Sequence, residues 1–200
     1  MSGGAPVIGI LLAAGFSRRF GANKLLACMP DGRPVAAHAA RALIQALPGS
    51  VAVVRPGVEA LEQALRDEGL AVTVCPDAIE GMGASLAHAV RTLDGRPAAG
   101  FVVALADMPF IRPETIAEVA ARLPAATRPL APGLGGERGH PVGLPAGLRD
   151  ELSRLTGDQG AREIIRRDGI DLFDCDDPGV LRDIDQPRDL PDGVPRGAGA

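Results

Sequence analysis

Val7-Ile8-Gly9-Ile10-Leu11-Leu12, followed at once by Ala13-Ala14-Gly15, is the stretch on which the fold turns. Six consecutive residues without a polar side chain read as a strand buried on both faces, because a half-exposed strand would alternate apolar with polar. Through Ala14 the run is eight residues long, too short to cross a bilayer, and no basic segment precedes it. The expectation is a cytoplasmic location with no membrane contact.

Working outward, helix-periodic stretches alternate with short apolar runs. Residues 34–47 read as a helix with Pro34 at its start and Pro48-Gly49 as its stop. Strands are expected at 50–55 and 70–75 around a helix at 58–68. A helix at 84–93, a buried strand at 100–106 and a helix at 113–123 follow. Residues 128–147 are rich in Gly and Pro, with a short strand at 141–144. A helical stretch broken at residues 156–160 then resumes to 167, and 170–175 reads as a last strand. The acid run Asp174-Cys175-Asp176-Asp177 reads as a solvated strand end and turn. Residues 1–186 are expected to form one domain and 187–200, rich in Pro, Gly, Ala and charge, a flexible tail.

This order predicts an α/β fold: a Rossmann-like, open, mostly parallel sheet with helices on both faces. In such sheets ligands bind beyond the carboxyl ends of the strands, at the point where strand order reverses. The loops to inspect are therefore 13–24, 76–85, 107–113 and 176–187.

Composition removes several function classes. The net charge of −4 offers no basic field for duplex DNA or an anionic membrane. With no Trp, no Tyr and five Phe, an aromatic platform for single-stranded nucleic acid is excluded. A base, if one is bound, is expected to be held by backbone, Gly and Ser contacts. Cys28, Cys75 and Cys175 are odd in number and far apart, which argues against a disulfide scaffold and for a reducing compartment.

The loop LLAAGFSRRFGANK (Leu11 to Lys24) has the ingredients of a polyphosphate cradle. Leu12, Ala13, Ala14 and Gly15 let a backbone approach a ligand; Ser17, Arg18, Arg19 and Lys24 supply a hydroxyl and cations. It lacks both GxxxxGK[ST] and GxGxxG. The competing reading is an ordinary strand-to-helix turn with solvated arginines. Lys24 is the only lysine beside 20 arginines, and a compact ammonium suits a phosphate oxygen where a guanidinium presents a planar fork. Asp107, following a buried strand, reads as a Mg²⁺ ligand or as a cap. Asp183 and Asp185 alternate onto one face of an extended segment. Ser85 reads either as an N-cap or as a ligand contact. Asp158 and Arg162 have the spacing of a helical ion pair, and His38 and His88 read as ordinary helix residues.

LAAGFSRRFGANK resembles the signature LAAGxSxRMGxxK of the MobA-like nucleotidyltransferases. The resemblance continues through ALADMPFIRPETI (104–116), GERGHPVGLP (136–145), GDQGAR (157–162) and DIDQPRDL (183–190). It is similar above all to the molybdenum cofactor cytidylyltransferase branch, since Ala13-Ala14-Gly15 stands where Ala-Gly-Gly would mark another. The resemblance implies a fold of the nucleotide-diphospho-sugar transferase type, Mg²⁺ as cofactor, CTP (or GTP) as donor and a molybdopterin-type phosphorylated acceptor. It also implies a molybdenum hydroxylase apoenzyme downstream. Arg19, Lys24 and Asp107 would be catalytic, with Asp107 and Asp185 on the metal. Leu12, Ala13, Ala14, Gly15, Ser17, Arg19, Lys24, Asp77, Gly83 and Ser85 would hold the nucleotide. Arg138, His140, Asp158 and Arg162 would hold the acceptor. Phe20 departs from the family Met, and Gln186 and Arg188 depart from the pattern around Asp185. The rival readings are a guanylyltransferase, a nucleotide-binding cofactor chaperone without turnover, and a nucleotide-sugar pyrophosphorylase.

Overall fold

β1 (Val7–Ala13) lies in the middle of the sheet, pairing in parallel with β2 (Val51–Val54) on one side and β4 (Gly100–Leu105) on the other. Its uninterrupted apolar run follows from that position, since both faces are covered and both edges are bonded. The computed structural model describes residues 4–16, 20 and 23–191. β3 (Ala71–Val74) completes one side in parallel with β2. Beyond β4 the direction changes: β7 (Val142–Pro145) is antiparallel to β4, and β5 (Leu130–Leu134) pairs with β7 and with β6 (Glu137–Arg138), both antiparallel. β8 (Asp171–Asp174) adds in parallel to β5. The order is β3-β2-β1-β4-β7-β5-β6, with β8 off that path. The sheet is thus mixed but mostly parallel through the half that carries the first strand.

Two apolar layers sandwich it. α1 (Val35–Ala46), α2 (Glu59–Asp67) and α4 (Pro113–Arg122) pack on one face around Leu11, Ala13, Ala52, Val54, Val102 and Ala104. α3 (Met82–Thr92), α5 (Arg149–Leu152) and α6 (Arg162–Asp168) pack on the other around Ile8, Ile10, Leu12, Val51, Val53 and Val103. The period of two along each strand deals successive residues to opposite layers.

β5 is the element that the sequence conceals. Pro132 and Gly133 sit inside it, and a proline in an apolar run argues against an inner strand. Here Pro132 supplies its carbonyl to the Gly139 N–H at 2.8 Å, a ladder role that needs no donor of its own.

Asp177 corrects the expectation of a solvated acid run. It is buried and accepts bonds from the Arg112 N–H at 2.8 Å, the Thr115 hydroxyl at 2.7 Å and the Gly179 N–H at 2.9 Å. One carboxylate therefore ties the start of α4 to the segment after β8, satisfying donors that the first helical turn leaves orphaned. The expected tail begins inside the described residues: Pro187–Asp189 form a short 3₁₀ turn capped reciprocally by Gln186 and Asp189. Residues 192–200 lie outside the described ones.

Candidate functional site

The chain runs from β1 outward to β2 and β3, then crosses back to β4, so strand order reverses between β1 and β4. Their carboxyl ends open into a cavity of about 310 Å³, at the low end of the usual size for small-ligand sites. Leu12, Ala14, Gly15, Lys24 and Ser85 line it, together with Asp107 and Asp158. Ala13 does not: strand alternation turns its side chain into the layer of α1 and α4. Asp77, which is exposed, and Gly83, which is buried, both lie outside the lining. Ser17 and Arg19, with Arg18, fall outside the described residues.

Three carboxylates gather at one lip of this cavity. Asp107, Asp183 and Asp185 each offer an oxygen, and these lie within 4.8 Å of one another. The Ile184 N–H donates to the Asp107 carbonyl at 2.9 Å, which docks the 183–185 segment beside the end of β4. Ile184 is fully buried in an apolar cluster with Met29 and Val35, so its flanking aspartates are turned the other way. Asp189 accepts from the N–H groups of Asp185 (3.0 Å) and Gln186 (2.7 Å) and fixes the turn. The alternation of Asp183 and Asp185 brings both to the cluster rather than one.

Lys24 reaches the same place. It opens a 3₁₀ turn, Lys24–Leu26, capped by the Asn23 side chain on the Leu25 N–H. Its Nζ bonds Asp107 Oδ2 at 2.8 Å and Asp185 Oδ1 at 2.7 Å. Burial alone would lower the Lys24 pKa, but the two carboxylate bonds outweigh it and hold the ammonium above the ordinary lysine value. Burial, with the charges of Asp185 and Asp107, pushes Asp183 up.

Ser85 is not an N-cap. α3 begins at Met82 with Gly81 as its cap, and Ser85 lies one turn inside, its hydroxyl donating to the Gly81 carbonyl at 3.2 Å. Gly81 lines the cavity, and both it and Gly83 stand close against another segment of the chain. A Cβ on Gly83 would stand 2.5 Å from the Thr156 carbonyl oxygen, and one on Gly81, at φ +127°, 2.5 Å from Asp158 Cα. Both glycines let the start of α3 pack against residues 156–158, whose Gly157 carbonyl accepts from the Gly83 N–H at 2.8 Å. That turn carries Asp158 to the first cavity.

A second, smaller cavity of about 100 Å³ adjoins the first across Leu12, Met82 and Leu105. Arg138, His140 and Arg162 line it with Gln159 over an apolar floor. Asp158 is parted from Arg162 by this division, and no ion pair joins them among the described residues; Arg162 opens α6 while Asp158 precedes it. His140 Nδ1 is the one buried side-chain polar atom without a partner among the described residues. Burial, helped by Arg138, lowers the His140 pKa to about 4, so the ring is neutral at pH 7. His38 and His88 sit away from both cavities, paired with Asp31 (3.0 Å) and Thr73 (2.8 Å).

Sequence reasoning missed Phe16 and Met82, which also line the first cavity. The position of Phe16 directly after Gly15 was the available signal.

Known proteins agree with this architecture. The chain is 28% identical to the purine catabolism protein PucB of Bacillus subtilis, with 92% of this chain and 93% of that protein covered. It is 31% identical to nicotine blue oxidoreductase of Paenarthrobacter nicotinovorans (90% and 92% covered) and 30% identical to the molybdenum cofactor guanylyltransferase of a Bradyrhizobium strain (80% and 76%). Among solved structures, Rv0371c of Mycobacterium tuberculosis superposes with a TM-score of 0.81 at 28% identity, covering 94% of this chain and 96% of that one. A manganese complex of the same protein matches at 0.76 and 26%, covering 92% and 96%. The model of the MobA-like NTP transferase domain matches residues 9–172, and on that match the chain belongs to the MobA-like NTP transferase family.

Proposed function

We propose that this chain is a Mg²⁺-dependent nucleotidyltransferase that moves CMP from CTP to the phosphate of a molybdopterin-type acceptor. The observation that carries the reading is the carboxylate cluster of Asp107, Asp183 and Asp185, at the lip of a cavity that shares a wall with a second, cationic one. Hard carboxylate oxygens in one cluster are the donor set that Mg²⁺ or Mn²⁺ takes, so the residues present fit such an ion. Asp107 and Asp185 would hold it, with Asp183 completing the set. When bound, the ion supplies charge neutralisation on the triphosphate.

In the reaction, an oxygen of the acceptor phosphate bonds to the α-phosphorus of the donor. The bond from the α-phosphorus to the oxygen bridging the β-phosphate breaks, and its electron pair leaves with pyrophosphate. Such a transfer asks the protein mainly for positioning and charge stabilisation. Lys24 supplies a compact cation for the departing phosphates, and Arg19, outside the described residues, would add a guanidinium. Leu12, Ala14 and Gly15 form the cavity wall for the nucleoside, and Ser85 lies within reach of it. Arg138 and Arg162 attract the anionic acceptor, and His140, kept neutral by burial, offers Nδ1 as a hydrogen-bonding atom without charge. The product passes to a molybdenum hydroxylase apoenzyme. The protein works in the cytoplasm.

A GTP donor is the second reading, favoured by the similarity to the Bradyrhizobium guanylyltransferase. Purified protein with Mg²⁺, acceptor and each α-labelled triphosphate in turn separates the possibilities. Label should enter the acceptor from CTP with stoichiometric pyrophosphate. Transfer from GTP alone would reverse the donor assignment, and nucleotide binding without pyrophosphate release would make the chain a carrier.

A further inference from the structure

Phe16 is a large apolar side chain with no place in the core. It is 39% exposed and belongs to none of the three apolar clusters among the described residues. It stands instead on the wall of the cavity at the ends of β1 and β4, directly after Gly15. Met82, 41% exposed, lines the same cavity, and Ile79, 67% exposed, sits beside cavity-lining Ala78 in the turn Ala78–Glu80. Two of the five exposed large hydrophobic residues among those described thus line one cavity, and a third is the chain neighbour of a lining residue. Apolar groups kept in water around a concave site mark ligand contact rather than folding.

The surroundings of the ring narrow the chemistry. The guanidinium of Arg55, just beyond β2, lies 5.1 Å from the Phe16 centroid, within the range of a cation–π contact. That contact takes one face of the ring and restrains it, and the opposite face is the one a ligand would use. A flat π-system matches such a face better than a sugar or a phosphate does, and every nucleobase has one.

We propose that Phe16 is the base-stacking residue of the donor site, holding the nucleobase of the triphosphate against a ring braced by Arg55. This rests on the nucleotidyltransferase reading and deepens it. It also revises the expectation from composition: a chain poor in aromatic residues still has one where a base needs it. Stacking is tolerant of base identity, so Phe16 supplies affinity for CTP and GTP alike, and selection between them falls to other groups.

The test uses the natural lack of Trp and Tyr in this chain. Phe16→Trp creates a single fluorophore at the site; CTP or GTP with Mg²⁺ should quench it, whereas inorganic tripolyphosphate should not. By calorimetry, Phe16→Ala should weaken both triphosphates about 5- to 150-fold, given ~1–3 kcal/mol per stacked base, with tripolyphosphate binding unchanged. Phe16→Trp should restore the affinity. Equal triphosphate affinity in Phe16→Ala and the parent overturns the stacking role. So does a matching loss for tripolyphosphate, which would place the effect in the phosphate loop. Absence of triphosphate binding to the parent protein overturns the nucleotidyltransferase reading itself.

Discussion

Lys24→Met removes a cation bonded to two members of the carboxylate cluster, and the structure sets the size of the effect. The Lys24 side chain is only 12% exposed and bonds Asp107, 24% exposed, and Asp185, 43% exposed. Deleting one member of a buried ion pair costs about 3–5 kcal/mol, because the remaining charge loses that partner. Water reaches Asp185 and softens the cost, so we take about 2 kcal/mol. For a chain of this size that lowers Tm by about 4–8 °C in metal-free buffer. The same deletion removes the ammonium that a divalent ion must displace from both oxygens. Mn²⁺ should therefore bind the variant at least ~10-fold more tightly, a gain of about 1.4 kcal/mol, and should raise its Tm by more than that of the parent. Calorimetric melting with and without Mn²⁺, and titration of free Mn²⁺ by electron spin resonance without nucleotide, read both quantities. Unchanged or weaker Mn²⁺ affinity in the variant would refute the displacement argument.

Asp177→Ala strands the Arg112 and Gly179 N–H groups and the Thr115 hydroxyl; urea titration should show a loss of about 2–4 kcal/mol, with an unchanged midpoint arguing that water replaces the carboxylate. Gly83→Ala drives a Cβ to 2.5 Å from the Thr156 carbonyl oxygen, and the overpacking should cost about 1–3 kcal/mol in the same assay. His140 titrates near 4 when folded against 6.5 for its ordinary value, so the unfolded chain binds the extra proton first as pH falls. Its contribution is complete above pH 6.5 and declines towards pH 4 by about 3 kcal/mol; His140→Phe should flatten the stability profile in that window, and an unaltered slope would place the titration elsewhere.

Much of the sheet was readable in advance because periodicity is local. Val7–Ala13 has one apolar pattern whatever its neighbours, and Pro113 with Glu114 opens a helix by its own stereochemistry. Family motifs carried further, since the loops at 11–24, 104–116, 136–145, 157–162 and 183–190 hold chemistry in short strings. Several of these converge in space: Lys24, Asp107 and Asp185 meet within hydrogen-bond reach, and Arg138, His140 and Arg162 share a cavity.

The amino-acid order by itself determined the α/β alternation, the loops at the carboxyl ends of the first strands and the residue types that carry charge there. Only the tertiary structure decided which of those residues share a site. It put β5 in the sheet despite Pro132, because a ladder supplied from neighbouring strands asks only for its carbonyl. It buried Asp177, because donors from α4 and from residue 179 converge where no sequence spacing of 62 or 65 would show it. It turned Ala13 away from the cavity and Phe16 into it, and set Gly81 and Gly83 against residues 156–158. Each of these is a long-range contact, and burial and partners across such distances are properties of the packed molecule rather than of any window of the chain.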